Sequence, residues 1–118
     1  MVLPYIRPEK VPVETLAKSI AQQIGKPDDW RVWHARLGSA DAINHVEKLL
    51  KDIRVGDARG AAVLLTIDQF EEIFTVATPV ERATFLHLLA SVVDPARDLP
   101  VMVIATGRSD VLDGCIDW

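Results

Sequence analysis

Six polar residues stand where two short apolar runs end. The run Ala61 to Ile67 (AAVLLTI) stops at Asp68, with Glu71 and Glu72 a turn further on; Val101 to Thr106 (VMVIAT) stops at Gly107 and Arg108, with Asp110 close behind. A continuously apolar run of this length fits a strand buried on both faces of a parallel sheet. In such sheets ligands sit beyond the carboxyl ends of the strands, so Asp68, Glu71, Glu72, Thr106, Arg108 and Asp110 should face one crevice. A carboxylate that ends a buried strand is fixed in place and can hold a hydrated magnesium ion, directly or through water, as nucleotide hydrolysis requires. Asp68 is the candidate. A second carboxylate a few residues on can orient the attacking water, and Glu71 or Glu72 would serve; only one is needed. Arg108 can contact a terminal phosphate and stabilise charge as it transfers, with a weaker hydrogen bond from Thr106. The structural alternative is that Asp68, Glu71 and Glu72 are helix-start acids at the positive end of a dipole, and that Arg108 pairs on the surface with Asp110 or Asp113.

The elements that must position these groups are legible in the apolar spacing. Val2 to Ile6, followed by Pro8, reads as the end of a strand. From Pro12 the residues Val13, Leu16, Ala17, Ile20, Ala21 and Ile24 recur at helical spacing, with proline in the first turn and Gly25 at the C-terminal cap. Asp28 or Asp29 should cap a short helix carrying Trp30, Trp33 and Leu37 that Gly38 ends, and Ser39 should cap another with Ile43, Val46, Leu49, Leu50 and Ile53 on its apolar stripe. Gly56 and Gly60 bracket the next loop. After the first apolar run, Thr78-Pro79-Val80-Glu81 has the form of a capping box opening a helix to about Val93, with Phe85, Leu88, Leu89 and Val92 inward. Alternating strand and helix point to an α/β domain with a mostly parallel sheet.

Composition narrows the function. The chain has 118 residues, 49% of them hydrophobic, enough for one core and too few for two ordinary domains. A net charge of -4 with no Lys/Arg cluster argues against a nucleic-acid partner. The single cysteine, Cys115, has no intrachain disulfide partner and no metal-ligand spacing, which fits a reducing cytoplasm. No run approaches the length of a membrane span. His34, His45 and His87 are isolated and receive no role, and Trp30, Trp33 and Trp118 read as packing or chain-end residues in the absence of a basic groove.

The string LLTIDQFEEIFT, then ERATFLHLL, then VMVIATGRSDVL resembles the novel STAND NTPase domain of the first type, a STAND-class, AAA+-related P-loop NTPase. The resemblance spans most of the chain and is densest from about Leu64 to Leu112; IRPEKVPVETLA resembles the segment leading from the second strand into its helix. It implies an incomplete P-loop NTPase-like three-layer sandwich over residues 1–118, running from the second strand through the sensor segment. In that family the apolar strand plus DQFEE is the Walker B segment and the later strand ending in arginine is the sensor segment. Carried over, Asp68 is the magnesium-associated acid, Glu72 the catalytic glutamate with Glu71 beside it, and Arg108 the sensor arginine, with Mg2+ and ATP as cofactors of the complete domain. The family more often has a bulkier apolar residue where Gly107 stands and Ala-Asp-Phe after the arginine, so Gly107 is expected to loosen Arg108.

No GxxxxGK[ST] occurs in these residues, and Gly25-Lys26 closes a helix before a proline, the wrong context for a phosphate loop. The amide nest and lysine of that loop supply most phosphate affinity, so this chain by itself is expected not to hydrolyse ATP. The expectation is therefore a fragment of a STAND signalling ATPase, cut at both ends, joined to flanking effector or repeat domains and able to oligomerise on activation. The alternatives are a free-standing α/β interaction module and a magnesium-dependent phosphohydrolase using Asp68 and Glu71 without a phosphate loop.

Overall fold

The apolar stripe of the first helix, α1 (Pro12–Gln23), decides how the chain packs: Val13, Leu16, Ala17, Ile20 and Ala21 are all buried, while Lys18, Gln22 and Gln23 stay in water. Pro12 sits at the first helical position, where its missing N–H is no loss. The helix stops because Gly25 adopts φ 79°, which lets the Gly25 and Lys26 amides fold back onto the carbonyls of Gln22 and Ala21. In the computed structural model, residue 3 and residues 5–56, 63–97 and 99–107 are described, with side chains outside 53–56.

A 3₁₀ turn at Pro27–Asp29 leads into α2 (Trp30–Leu37), which packs on α1 through buried Trp33 and Leu37. Asp29 occupies the cap position without a side-chain hydrogen bond to the helix. Trp30 is half-buried, and its ring carries the Lys18 ammonium and Arg31 guanidinium at 4.7 and 4.6 Å from its centroid. Ser39 departs from expectation. Its hydroxyl donates to Arg36 O at 2.7 Å, closing α2, and only its backbone carbonyl meets the start of α3 (Ala42–Gly56). The last carbonyls of α2 lie within the hydroxyl's reach, so it serves the helix behind it.

Strands β1 (Val63–Ile67) and β2 (Val101–Ala105) pair in parallel, Val63 against Val101 through Ile67 against Ala105. The N-terminal segment joins the other side of β1, with Leu3 N donating to Leu64 O and Ile6 bridging Ile67 in parallel. Between the strands lie α4 (Glu72–Thr75) and α5 (Pro79–Val92). Chain order and parallel pairing are those of an α/β domain, in a mixed helix-and-strand chain with a small parallel sheet.

Burial corrects one expectation. In β1 the face of Val63, Leu65 and Ile67 is buried, while Leu64 and Thr66 on the other face are half-buried. Their partners on that face of β2, Met102 and Ile104, are 59% and 43% exposed. Among the described residues no strand pairs with the far side of β2, and the exposure of Met102 and Ile104 leaves the apolar character of that face unmatched by burial. The core lies on the opposite face, where Phe85, Leu88 and Leu89 of α5 and the inner stripe of α1 close over the sheet.

The capping box is also resolved differently. Thr78 is the N-cap residue of α5 but makes no side-chain capping bond. Glu81 instead reaches across to α1, where its Oε1 accepts from the amides of Val13 and Glu14 at 3.0 and 3.2 Å and its Oε2 lies 3.2 Å from His34 Nε2. A carboxylate is attracted to any nearby helix N-terminus, and the tertiary fold supplies one other than its own.

Candidate functional site

The acidic turn is fixed on both flanks. The Asp68 amide donates to Ile6 O at 2.7 Å, Phe70 N donates to Thr106 O at 2.7 Å, and Thr106 N donates to Ile67 O at 2.9 Å. Between them Gln69 adopts φ 53°, a left-handed conformation uncommon outside glycine, which turns the chain sharply off the strand. Phe70 and Ile73 then bury themselves in the core, with Phe70 edge-on to Phe74 at 5.9 Å between centroids. The result places Asp68 and Thr106 side by side beyond the carboxyl ends of β1 and β2: Thr106 Oγ1 donates to Asp68 Oδ1 at 3.0 Å.

The adjacent glutamates point to different partners. Glu72 is 8% exposed and accepts from Arg7, Nε to Oε1 at 2.7 Å and Nη2 to Oε2 at 3.2 Å. This is the two-pronged geometry guanidinium and carboxylate favour. The bond to Glu72, and then its charge, hold the Arg7 guanidinium above its ordinary pKa, with smaller help from Glu9 and Asp68. Glu71 turns toward β2. Its Oε2 is buried and makes no hydrogen bond among the described residues, and a Cβ built on Gly107 would collide with that oxygen. Gly107 thus leaves the space in which the Glu71 carboxylate lies, while its expected loosening of Arg108 falls outside the described residues.

A second arginine supports the turn from behind. Arg82, in the first turns of α5, donates through Nε to Ile73 O at 2.8 Å and through Nη2 to Ala77 O at 3.2 Å, satisfying carbonyls at the end of the one-turn helix α4. Thr78 N donates to Lys10 O, so the strand exit at residues 6–10 is tied to the same region.

Of the residues singled out by the sequence, Asp68, Thr106 and Glu71 come together at the carboxyl end of the strands. Glu72 is beside them but faces Arg7. Arg108 and Asp110 lie outside the described residues, as do Asp113, Cys115 and Trp118. The sequence reading missed Arg7 and Arg82. Arg7 carries one usable signal, a lone cation directly after the first strand segment, where a group can reach the carboxyl end of the neighbouring strand.

The donor set suits a hydrated magnesium ion rather than a cage of protein ligands. Among the described residues no three His, Cys, Asp or Glu side chains converge as a metal site. Asp68 offers one carboxylate with Thr106 holding one of its oxygens, and magnesium keeps most of its waters and is usually held by one or two carboxylates together with substrate phosphates. No helix among the described residues is long and apolar enough to cross a membrane.

With this geometry in place, comparison with known proteins matches the chain to the family described as Novel STAND NTPase 1, over residues 1–118. The chain belongs to that family. No curated protein and no solved structure matched. Membership makes this a STAND NTPase-related domain and does not favour the free-standing interaction module; an NTPase family implies nucleotide and magnesium binding in general.

Proposed function

We propose that this chain is the acid-and-sensor part of a nucleotide-hydrolysing STAND switch, with DQFEE as its Walker B segment in an AAA+-related, three-layer P-loop domain. The observation that carries the reading is the hydrogen bond from Thr106 to Asp68 across the ends of two parallel strands, with a glutamate from the same turn alongside. Asp68 would hold magnesium, which when bound neutralises charge on the phosphates. One carboxylate of the Glu71-Glu72 pair orients the attacking water, Thr106 keeps Asp68 in place and adds a polar contact, and Arg108 senses the terminal phosphate. The phosphate loop is supplied by residues outside these 118, which alone do not hydrolyse ATP. In the cytoplasm the nucleotide state would be read by flanking effector or repeat domains, through assembly on activation.

Magnesium-dependent ATP turnover by the full-length protein tests this. Asp68→Asn should lower turnover by about a hundredfold or more while leaving the melting temperature within a few degrees. Full turnover by Asp68→Asn, or robust turnover by the 118-residue chain, would refute the assignment.

A further inference from the structure

Glu71, the N-cap residue of α4, has helical backbone angles, and Glu72 is the first residue of that helix, so their side chains leave about 100° apart and meet different surroundings. Here they diverge completely. Both oxygens of Glu72 are occupied by Arg7, 65 residues earlier in the chain. Arg7 directly follows Ile6, whose backbone bridges Ile67 and accepts from Asp68 N. The ion pair therefore closes a loop from Asp68 through Ile6 and Arg7 to Glu72 and back along the turn. A carboxylate held in this way by a charged partner is poorly placed to take a proton from water. Glu71 has the opposite character. It points to the end of β2 beside Thr106, one oxygen has no hydrogen bond among the described residues, and the absence of a side chain at Gly107 makes its room.

We propose that the two glutamates divide the work of the DQFEE turn: Glu72 is a positioning residue, clamped by Arg7 to the first strand segment, and Glu71 is the carboxylate that receives the proton of the attacking water. The inference rests on the nucleoside-triphosphate reading of the site. It moves the proton-accepting role from Glu72, where the family resemblance puts it, to its neighbour. In the step itself, the water oxygen bonds to the terminal phosphorus, and the bond from that phosphorus to the bridging oxygen breaks. The electron pair leaves with the nucleoside diphosphate, and the water proton passes to Glu71, which returns it to solvent.

The test combines turnover of magnesium-ATP by the full-length protein with thermal unfolding of the same variants. Glu71→Gln should lower kcat about a hundredfold or more at nearly unchanged KM and melting temperature. Glu72→Gln keeps the acceptor facing Arg7 Nε and should lose about tenfold or less. Arg7→Ala and Glu72→Ala should each lower the melting temperature, the double variant should be no worse than the poorer single, and the swap Arg7→Glu/Glu72→Arg should recover part of both stability and kcat. The inference is overturned if Glu72→Gln abolishes turnover at unchanged stability while Glu71→Gln retains it, or if the Arg7 and Glu72 effects simply add. If the wild-type protein hydrolyses no nucleoside triphosphate, the reading of the site fails and the role of Glu71 with it; the thermal cycle still decides the Arg7–Glu72 clamp independently.

Discussion

Glu81 is the residue on which sequence pattern and structure make opposite predictions about stability. Read as a capping box, Thr78-Pro79-Val80-Glu81 makes Thr78 the important group, its hydroxyl capping α5. In the structure Thr78 makes no such bond, and Glu81 closes the amide account of α1 instead. Of the first four residues of α1, Pro12 has no N–H and Thr15 N already donates to Val11 O at 3.0 Å. The two remaining orphans, Val13 N and Glu14 N, both donate to Glu81 Oε1. Val13 is 1% exposed, so water cannot readily replace the lost acceptor at its amide. Hydrogen bonds to a charged group contribute about 1.5–3 kcal/mol, and loss of a helix cap typically costs about 1 kcal/mol. Glu81→Ala should therefore destabilise the chain by about 2–3 kcal/mol, which for a domain of this size lowers the melting temperature by roughly 8–12 °C. Glu81→Gln keeps an oxygen in place and should cost about 1 kcal/mol. Thr78→Ala should cost less than about 0.5 kcal/mol. Urea and thermal unfolding followed by far-ultraviolet circular dichroism measure all three. If Thr78→Ala proves more damaging than Glu81→Ala, the cross-helix cap is wrong and the local capping box is the real one.

Other expectations follow from single contacts. Phe85 is fully buried in the hydrophobic core, and Phe85→Ala should cost about 3–5 kcal/mol in the same unfolding assay. Gln69 holds a left-handed backbone, so Gln69→Gly should be neutral or stabilising by up to about 1 kcal/mol, whereas Gln69→Val should be clearly destabilising. Gly107→Ala would place its methyl on the Glu71 carboxylate, the movable end of a flexible side chain, so unfolding should shift by less than about 1 kcal/mol while ATP turnover of the full-length protein falls with Glu71 displaced.

What the sequence made legible was the part of the fold that depends on local pattern. The stripe of α1, the proline that opens it and the glycine that ends it are set by periodicity and backbone sterics, and each is where the spacing places it. The same holds for α5 and its inward Phe85, Leu88 and Leu89. Apolar runs identified both strands, but not how deeply they are buried. Val101 to Ala105 has the composition of an interior strand, yet whether Met102 and Ile104 are covered depends on what packs against them, and hydrophobicity is a property of the residue rather than of its neighbours. Ser39 and Glu81 were misread for a related reason: each makes a bond its chemistry favours, but to the helix that lies nearest in space.

The acidic turn shows the same boundary at the site. A strand ending in Asp followed by two glutamates is the pattern on which the proposed chemistry rests, because an acid fixed at a strand end and a carboxylate a turn later are what a hydrated cation and an attacking water need. Nothing in DQFEE distinguishes the glutamates, which have the same side chain at neighbouring positions. The distinction is made by Arg7 on one side and by the missing side chain of Gly107 on the other, 65 residues before Glu72 and 36 after Glu71 in the chain. Parallel pairing brings both to the turn: Ile6 bridges Ile67 on one edge of β1, and Ala105 pairs Ile67 on the other. Each flanking strand thus delivers its next residues to the same end of the sheet, an arginine that engages one carboxylate and a glycine that leaves room for the other. The proposed division of roles therefore depends on the sheet, and it should change when Arg7 or Gly107 is replaced even though every residue of DQFEE stays the same.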